Sequence, residues 1–440
     1  MKVSSILGLN ARTQLFAYKY NTKRGKNIAN SKIQTARILK KFEIAHPKVY
    51  KKFTDPRQVM EFDWGKLPDR FALKPSRGMG GGGIVVVKKR ITDKKILKSA
   101  KSPIWITTNK ERVTAEDLKL HTLDILEGAF SMGNVPDVAF IQEYVGRAEA
   151  FRKWAYRGTP DIRIIVFNKV PVMAMLRLPT KESGGRANLH QGAIAVGIDI
   201  ATGITTNSIW HGEEIVFKPG TERRLRGIKI PSWNRVLETA IKAQEASYLG
   251  YLGVDIVIHP EKGPMVLELN AQPGLQIQLA NKTGLKKRLE RIEDLEISDA
   301  EHGIMIAKAL FAGRFENRKA VVEGIKTIRN DEIIKVVIPG KKKRIEVKAK
   351  IDTGAWRSSI DKSFAEENGL LSEKNILWTK VFKSSLGSEE RSVINFSFYL
   401  AGTRINTVAS VSNRKGLKKV CIIGRRDLQG FLVKVDDSTK

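Results

Sequence analysis

The stretch YLGVDIVIHPEKGPMVLELNAQPG, residues 251–274, sets the tightest limit on how this chain can fold. Two Val/Ile/Leu-rich runs, 253–258 and 265–270, flank a His-Pro-Glu-Lys-Gly turn, which predicts a β-hairpin belonging mostly to a core. Asp255, Glu268 and Asn270 interrupt that apolar pattern. Burying an unpaired carboxylate costs several kcal/mol or more, so a cationic group should face them. Glu268 and Asn270 lie two apart and share a face by strand alternation, and Asp255 on the partner strand joins them. Hard oxygen ligands of this kind suit Mg²⁺, held by carboxylates and the phosphates of a nucleotide. Taken alone, the same residues also fit a hairpin with one wet polar face.

A second stretch, FALKPSRGMGGGGIVVVKK at 71–89, reads as strand, glycine loop, strand over 71–74, 78–83 and 84–87. Glycine has no Cβ and adopts positive φ, so the backbone of Gly80, Gly81, Gly82 and Gly83 can approach a polyphosphate closely, with Lys74 adding charge. GxxxxGK[ST] is absent and a strand follows the glycines, which excludes a P-loop and leaves a plain flexible turn as the alternative. Residues 1–30 form a polar and aromatic lead. An amphipathic helix begins at Ser31, with Ile33, Ala36, Ile38 and Leu39 on one side, and ends before Pro47; Lys32 lies in its first turn.

Residues 114–131 read as a helix, and VAFIQEYV at 138–145 as an apolar strand that ends on Gln142 and Glu143, a change of character that can seat an adenine. DIRIIVF (161–167) and VPVMAMLR (170–177) are strands around an Asn168-Lys169 turn. Their Arg163 and Arg177 need an anion or carboxylate partner if buried. A loop with Arg186, Asn188 and His190 follows, and a helix over 234–249 leads into the hairpin.

Composition bounds the partners. Lys+Arg 78 against Asp+Glu 46 gives +32, a field that attracts nucleotides, acidic peptides, nucleic acid or anionic membrane. The basic residues are spread out, with short runs at 341–344 and 414–419, so a dedicated nucleic-acid arm is not favoured. A single cysteine, Cys421, rules out an internal disulfide framework and fits a reducing compartment. No apolar run is long enough for a signal peptide or a membrane span, so the expected location is the cytoplasm.

The order of these pieces resembles an ATP-grasp ligase: a helix lysine, a strand lysine before a glycine loop, a Gln-Glu strand, DIR, an Arg-ended strand, NLH, then D…E-x-N. Within that superfamily DIRIIVFNKVPVMAMLRLP, ANLHQGA and NAQPGLQIQLAN are similar to the RimK-like alpha-L-glutamate ligase-like proteins, over roughly residues 5–315. The resemblance implies ATP held between two α+β subdomains, with two Mg²⁺ ions, replaceable by Mn²⁺, on Asp255, Glu268 and Asn270. It implies Lys74, Arg163, Asn188 and the glycine loop around the phosphates, Lys32 near the nucleotide, Gln142 and Glu143 at the adenosine, and Arg177 at the transferred phosphoryl. Members phosphorylate a substrate carboxylate and let an amine attack the acyl phosphate, which makes an amino acid and a carboxylate-bearing peptide or small molecule the expected substrates. Gln272 stands where the family's N-A-R-P has arginine, and the lead before Lys32 is short, so substrate identity is the part least carried over.

After residue 315 the sequence changes character. A charged connection over 316–332 precedes a strand-rich region, 333–440, whose first hairpin turns at 340–343 and feeds Asp352-Thr353-Gly354. Asp-Thr-Gly-Ala with a later Ile-Ile-Gly-Arg resembles the retropepsin fold and the domain called an ATP-dependent zinc protease in RimK-associated proteins, with a flap hairpin over 382–400. All six histidines precede residue 303, which argues against zinc and makes Asp352 an aspartic-protease carboxylate if it works at all. One Asp-Thr-Gly per chain then requires a homodimer through this domain. The expected architecture is therefore an α+β ATP-grasp ligase at 1–315 followed by a small all-β retropepsin-like barrel. Two other readings remain: a peptide-processing hydrolase governed by the ATP-grasp part, and a basic ribosome- or nucleic-acid-binding protein with a dimerisation barrel.

Overall fold

The computed structural model describes residues 5–78, 80–92, 103–312, 326–341, 344–384, 387–414 and 419–434. Met79 of the glycine loop, residues 316–325 of the connection, the 342–343 corner, the 385–386 flap tip and 415–418 lie outside them. The chain divides into two compact units, Met1–Asp294 and Leu295–Lys440. Among the described residues no helix is long and apolar enough to cross a membrane.

The first unit has two sheets. One runs in the order β1-β6-β2-β3-β4-β5, where β1 is Val49–Phe53, β2 Phe71–Pro75, β3 Val85–Arg90, β4 Ile104–Thr107, β5 Arg112–Thr114 and β6 Ala139–Glu143. Its apolar face packs under the helix Ala115–Glu127, which starts in a reciprocal Thr114–Asp117 capping box. The other sheet runs β11-β10-β9-β8-β7-β12-β13: β7 Asp161–Phe167, β8 Val170–Leu178, β9 Ile194–Ile198, β10 Thr205–Trp210, β11 Glu213–Ile215, β12 Tyr251–His259 and β13 Gly263–Asn270. β7 turns into β8 through Asn168 (φ 47°) and Lys169 (φ 56°), two positive-φ residues as a tight hairpin of matching twist requires. The helix Trp233–Ser247 carries the chain to β12.

Residues 5–29, the lead in sequence terms, fold into short helical turns that grip the far end of β12 and β13. Leu7 N donates to Gln278 Oε1 at 2.9 Å, Gln278 Nε2 returns a bond to Leu7 O at 3.1 Å, and Asn21 Nδ2 reaches Tyr251 O and Ala271 O at 2.8 and 2.9 Å. Phe16 and Tyr20 pack edge-on against Phe167.

In the second unit β14, Lys326–Arg329, pairs in parallel with β22, Phe431–Lys434, and a seven-stranded sheet runs β15-β16-β21-β17-β20-β19-β18, with β15 Asp331–Val337, β16 Arg344–Asp352, β17 Ser358–Asp361, β18 Ile376–Ser384, β19 Gly387–Leu400, β20 Thr403–Ser412 and β21 Cys421–Gly424. An additional β15–β19 pairing bends the sheet back on itself around Ile334, Val336, Phe396, Phe398 and Ile423. The helix Ala300–Phe311 groups with this unit, where His302 Nε2 bonds Leu377 O at 2.7 Å.

Candidate active site

Strand register decides which side chains meet. Across the second sheet, Arg177 pairs with Asp161, Arg163 with Asp255, and Asp255 with Glu268. Opposite residues in antiparallel strands project to the same face, so these five, with Asn270 two residues beyond Glu268, share one face in two neighbouring rows, Arg177–Asp161 and Arg163–Asp255–Glu268. A register shift between Asp255 and Ile256 leaves Leu267 as an extra residue on β13. This bulge turns Leu267 and Glu268 alike toward the cavity, which strict alternation does not anticipate.

Within these rows, the cationic partner expected for Asp255 is a pair of arginines. Arg163 Nε and Nη2 donate to Asp255 Oδ1 and Oδ2, both at 2.7 Å, and Arg177 Nη2 donates to Oδ2 at 2.6 Å. Arg177 Nε and Nη2 also clasp Asp161 at 2.5 and 2.6 Å. Burial by itself would raise the Asp255 carboxyl, but the two guanidiniums overcome it and hold the group at about 2. Burial pushes Asp161 up to about 6 against the pull of Arg177, with the Asp255 charge adding to the rise. Asp161 is a site residue that sequence reasoning passes over; its position two before Arg163 in DIR, hence on the same face, is the signal that was available.

A helix and the opposing sheet each supply a lysine. Ser31 caps the helix Lys32–Lys41 by accepting from Gln34 N, and Lys32 N bonds Ser76 O at 3.1 Å just past β2. That anchor sets Lys32 Nζ 2.8 Å from Gly78 O and 3.6 Å from Glu268 Oε1. Lys74, on β2, is enclosed; its Nζ donates to Gln142 Oε1 at 2.8 Å, and the Gln142 amide donates in turn to Pro47 O at 3.3 Å. Burial and then the nearby Lys32 charge lower the Lys74 ammonium to about 8, with Glu268 opposing. Both ends of the Gln142 side chain are thus occupied, one by Lys74 and the other by Pro47 O, and Gln142 is not among the cavity's lining residues. Glu143 accepts from Lys48 N at 3.0 Å and pairs with Lys262, and it lines the cavity together with its chain neighbours Tyr144 and Val145.

Gly80, Gly81 and Gly83 hold φ of +63°, +84° and +69°, as the loop reading requires. Gly80 O accepts from Asn188 Nδ2 at 2.8 Å, and a Cβ on Gly83 would lie 2.6 Å from the Phe130 ring. Gly80 and Gly81 line the cavity; Gly82 and Gly83 are not among its lining residues. Between the sheets lies a cavity of about 560 Å³ bounded by Lys32, Lys74, Arg177, Asp255, Glu268 and Asn270. Arg157 and Arg186 also line it, and Arg157 was not singled out from sequence.

An ionised carboxylate offers about four lone-pair directions. On Asp255, Oδ2 is filled by guanidinium donors with Asn270 Nδ2 at 3.4 Å, while Oδ1 keeps one direction open. Among the described residues Glu268 has only Lys32 as an ion-pair partner. The donor set of Glu268, Asn270 and the open side of Asp255 Oδ1 therefore suits a divalent cation. No group of three or more His, Cys, Asp or Glu among the described residues is placed to hold a metal.

A helix lysine and a strand lysine face the carboxylates of the second sheet across the cavity, with the glycine loop beside them. A family model described as Sugar-transfer associated ATP-grasp matches residues 11–294, and the chain belongs to that family. It is also 31% identical, over 136 residues, to a probable alpha-L-glutamate ligase of Citrobacter koseri, a match covering 31% of this chain and 31% of that protein. The chain thus spans less than a third of this curated relative. Among solved structures, the ATP-grasp ligase PsnB complexed with a minimal precursor is 16% identical with a TM-score of 0.31, covering 62% of each chain. D-alanine–D-alanine ligase from Bacillus anthracis complexed with ATP is 15% identical with a TM-score of 0.34, covering 62% of this chain and 68% of that one.

Proposed function

We propose that this protein is a cytoplasmic, ATP- and Mg²⁺-dependent carboxylate–amine ligase that joins an amino acid, with glutamate the leading candidate, to a carboxylate-bearing peptide or small molecule. The observation that carries this reading is the convergence of Lys32, Lys74 and the glycine loop on Arg177, Asp255, Glu268 and Asn270 across one cavity. Lys32, Lys74 and the loop amides would bind the polyphosphate, with Asn188 steadying the loop at Gly80 O. Asp255, Glu268 and Asn270 would hold Mg²⁺, two ions by family resemblance, which neutralise charge on the phosphates when bound. Arg177, with Arg163 beside it, supplies fixed positive charge where a transferred phosphoryl group needs it. Transfer of that group to the substrate carboxylate releases ADP and leaves an acyl phosphate. Attack by the amine then forms the amide and expels phosphate. Incubation with ATP, Mg²⁺ and pools of amino acids and peptides should give ADP and condensed products by mass spectrometry; no substrate-dependent ADP from any pool would reject the proposal.

For residues 333–440 we propose a retropepsin-like role, the second activity of a ligase–peptidase pair. Asp352 ends β16 directly beside Gly424 of β21, with Ile351 beside Ile423. Gly354 N and Ala355 N both donate to Asp352 Oδ1 at 2.9 Å, holding the carboxylate in its turn. A Cβ on Gly424 would lie 2.5 Å from the Arg357 backbone, so that close approach depends on glycine. Peptide cleavage that survives Asp352→Asn would end this reading.

A further inference from the structure

A hairpin outside the cavity gathers cations that no carboxylate of the described chain neutralises. Phe217 and Arg224 form a β-bridge, and inside it Lys218 N donates to Arg223 O at 2.9 Å and Thr221 N to Lys218 O at 3.0 Å, with Gly220 at φ +71° in the turn. Lys218 and Arg223 therefore face each other on a short ribbon. Their side chains converge as well, Lys218 Nζ at 3.4 Å and Arg223 Nη1 at 2.9 Å from the same oxygen, Lys153 O. Trp154 Nε1 donates to Arg224 O at 3.2 Å and fastens the ribbon to that segment. Arg147 joins from the same side, fixed by its Nη1 on Ala155 O at 2.8 Å. Burial, Arg223 and then Arg147 lower the Lys218 ammonium.

Of the acids close to it in sequence, Glu149 pairs with Arg152 at 3.1 Å and Glu214 with Lys282 at 2.6 Å, while Glu222, beside Arg223 in the turn, is exposed and makes no ion pair among the described residues. Arg147 and Lys218 are half-buried, with carbonyl oxygens as their hydrogen-bond partners. Charges taken partly out of water and crowded against one another are unfavourable until an anion completes them. The platform also leads to the cavity, because Ala155 is followed by Arg157, Gly158 and Thr159, which line it. Arg157 Nη1 reaches Asn109 O at 3.2 Å on the cavity wall.

We propose that Arg147, Lys218 and Arg223 form an anion subsite for a carboxylate- or phosphate-bearing arm of the substrate, outboard of the nucleotide. Its place in turnover rests on the ligase reading; its binding of anions does not. A chain of this net charge draws any polyanion weakly, so locality is what must be measured. Tetraglutamate and tripolyphosphate are titrated calorimetrically into the full-length protein at about 0.15 M salt, where long-range attraction is screened. The variants are the Lys218→Met/Arg223→Gln pair and, as control, the Lys40→Met/Lys41→Met pair on an exposed helix end. The subsite predicts saturable binding of one probe, at least about tenfold weaker in the first pair and within about twofold in the control, with ATP affinity unchanged in both. Preference for one probe identifies the arm as carboxylate or phosphate. Equal losses in the two pairs, or no saturable binding of either probe, would overturn the subsite. Failure of the wild-type protein to bind ATP would instead strike the ligase proposal. Should the first pair lower the melting temperature, Arg223→Gln alone, an exposed side chain, takes its place, with an expected loss of about threefold.

Discussion

Asp255 and Glu268 stand directly opposite each other on the β12–β13 hairpin, yet Asp255 is clasped by Arg163 and Arg177 while among the described residues Glu268 has only Lys32 as an ion-pair partner, at 3.6 Å. Two carboxylates in one row therefore carry different duties. Asp255 balances buried guanidiniums, and Glu268 is free to serve a ligand.

Glu268→Ala should abolish ADP formation and leave the melting temperature near wild type. Asp255→Ala should also lose activity, but it leaves the buried Arg163 without its carboxylate and Arg177 with Asp161 alone, and should cost about 3–5 kcal/mol of stability. Thermal melts beside an ADP-release assay separate the two. Near-wild-type turnover in Glu268→Ala would remove this hairpin from the chemistry.

If Lys74 contacts the phosphates as proposed, ATP binding should depend on pH. The Lys74 ammonium titrates at about 8 in the folded protein, against 10.5 for an ordinary lysine. Affinity should be highest below pH 8 and fall as the pH rises through it, with proton uptake on binding between. The stability term has the opposite sense. Between these values the unfolded chain holds more protons than the native one, so this group's contribution to stability increases with pH over that window. Lys74→Met should weaken ATP at least tenfold, about 1.4 kcal/mol. Lys74→Arg, charged throughout, should flatten the profile. Calorimetry from neutral to mildly alkaline pH reads all of these, and a wild-type affinity flat across pH 8 would release Lys74 from the phosphates.

On the proposed reading, Gln142 should act on the nucleotide through Lys74, which it accepts from. Gln142→Leu removes the acceptor at 2.8 Å, so the ammonium loses a partner and the midpoint of the pH profile should move below 8. A direct adenine contact would instead weaken binding by the same factor at every pH, and the two outcomes are distinguishable in one titration series.

If the second unit cleaves peptides, two Asp352 carboxylates must share a proton across a two-fold axis, and the pair titrates as one system. Sedimentation of the whole protein should show a dimer at micromolar concentration. A strict monomer under those conditions would rule out the mechanism and leave the ligase proposal intact.

Local pattern discloses the hairpin, the flanking arginine strands, the Ser31 helix start and the glycine loop, because apolar period, turn chemistry and caps are properties of neighbouring residues. It does not disclose who partners whom. That Asp255 belongs to Arg163 and Arg177 follows from the register among β7, β8 and β12, fixed by pairing between distant segments. The Leu267 bulge, the capture of Gln142 by Lys74 and Pro47, and the helical turns before Lys32 are of the same kind. In the lead, each turn is too short to show a period, and its contacts lie with the other end of the unit.

Those end-to-end contacts set the timing of assembly on the ribosome. Leu7 bonds Gln278 across 271 residues of chain, Arg12 Nη1 holds Pro273 O at 3.0 Å, and Asn21 bridges Tyr251 and Ala271. The loop after Asn270 is thereby secured by residues made well before it, and these hydrogen bonds wait for β12, β13 and the segment beyond them to emerge. A nascent chain can form β1 to β6 and keep its lysines and glycines in place, but the carboxylate row waits for residue 270 and beyond. Synthesis thus delays the complete nucleotide site until nearly all of the first unit has left the exit tunnel.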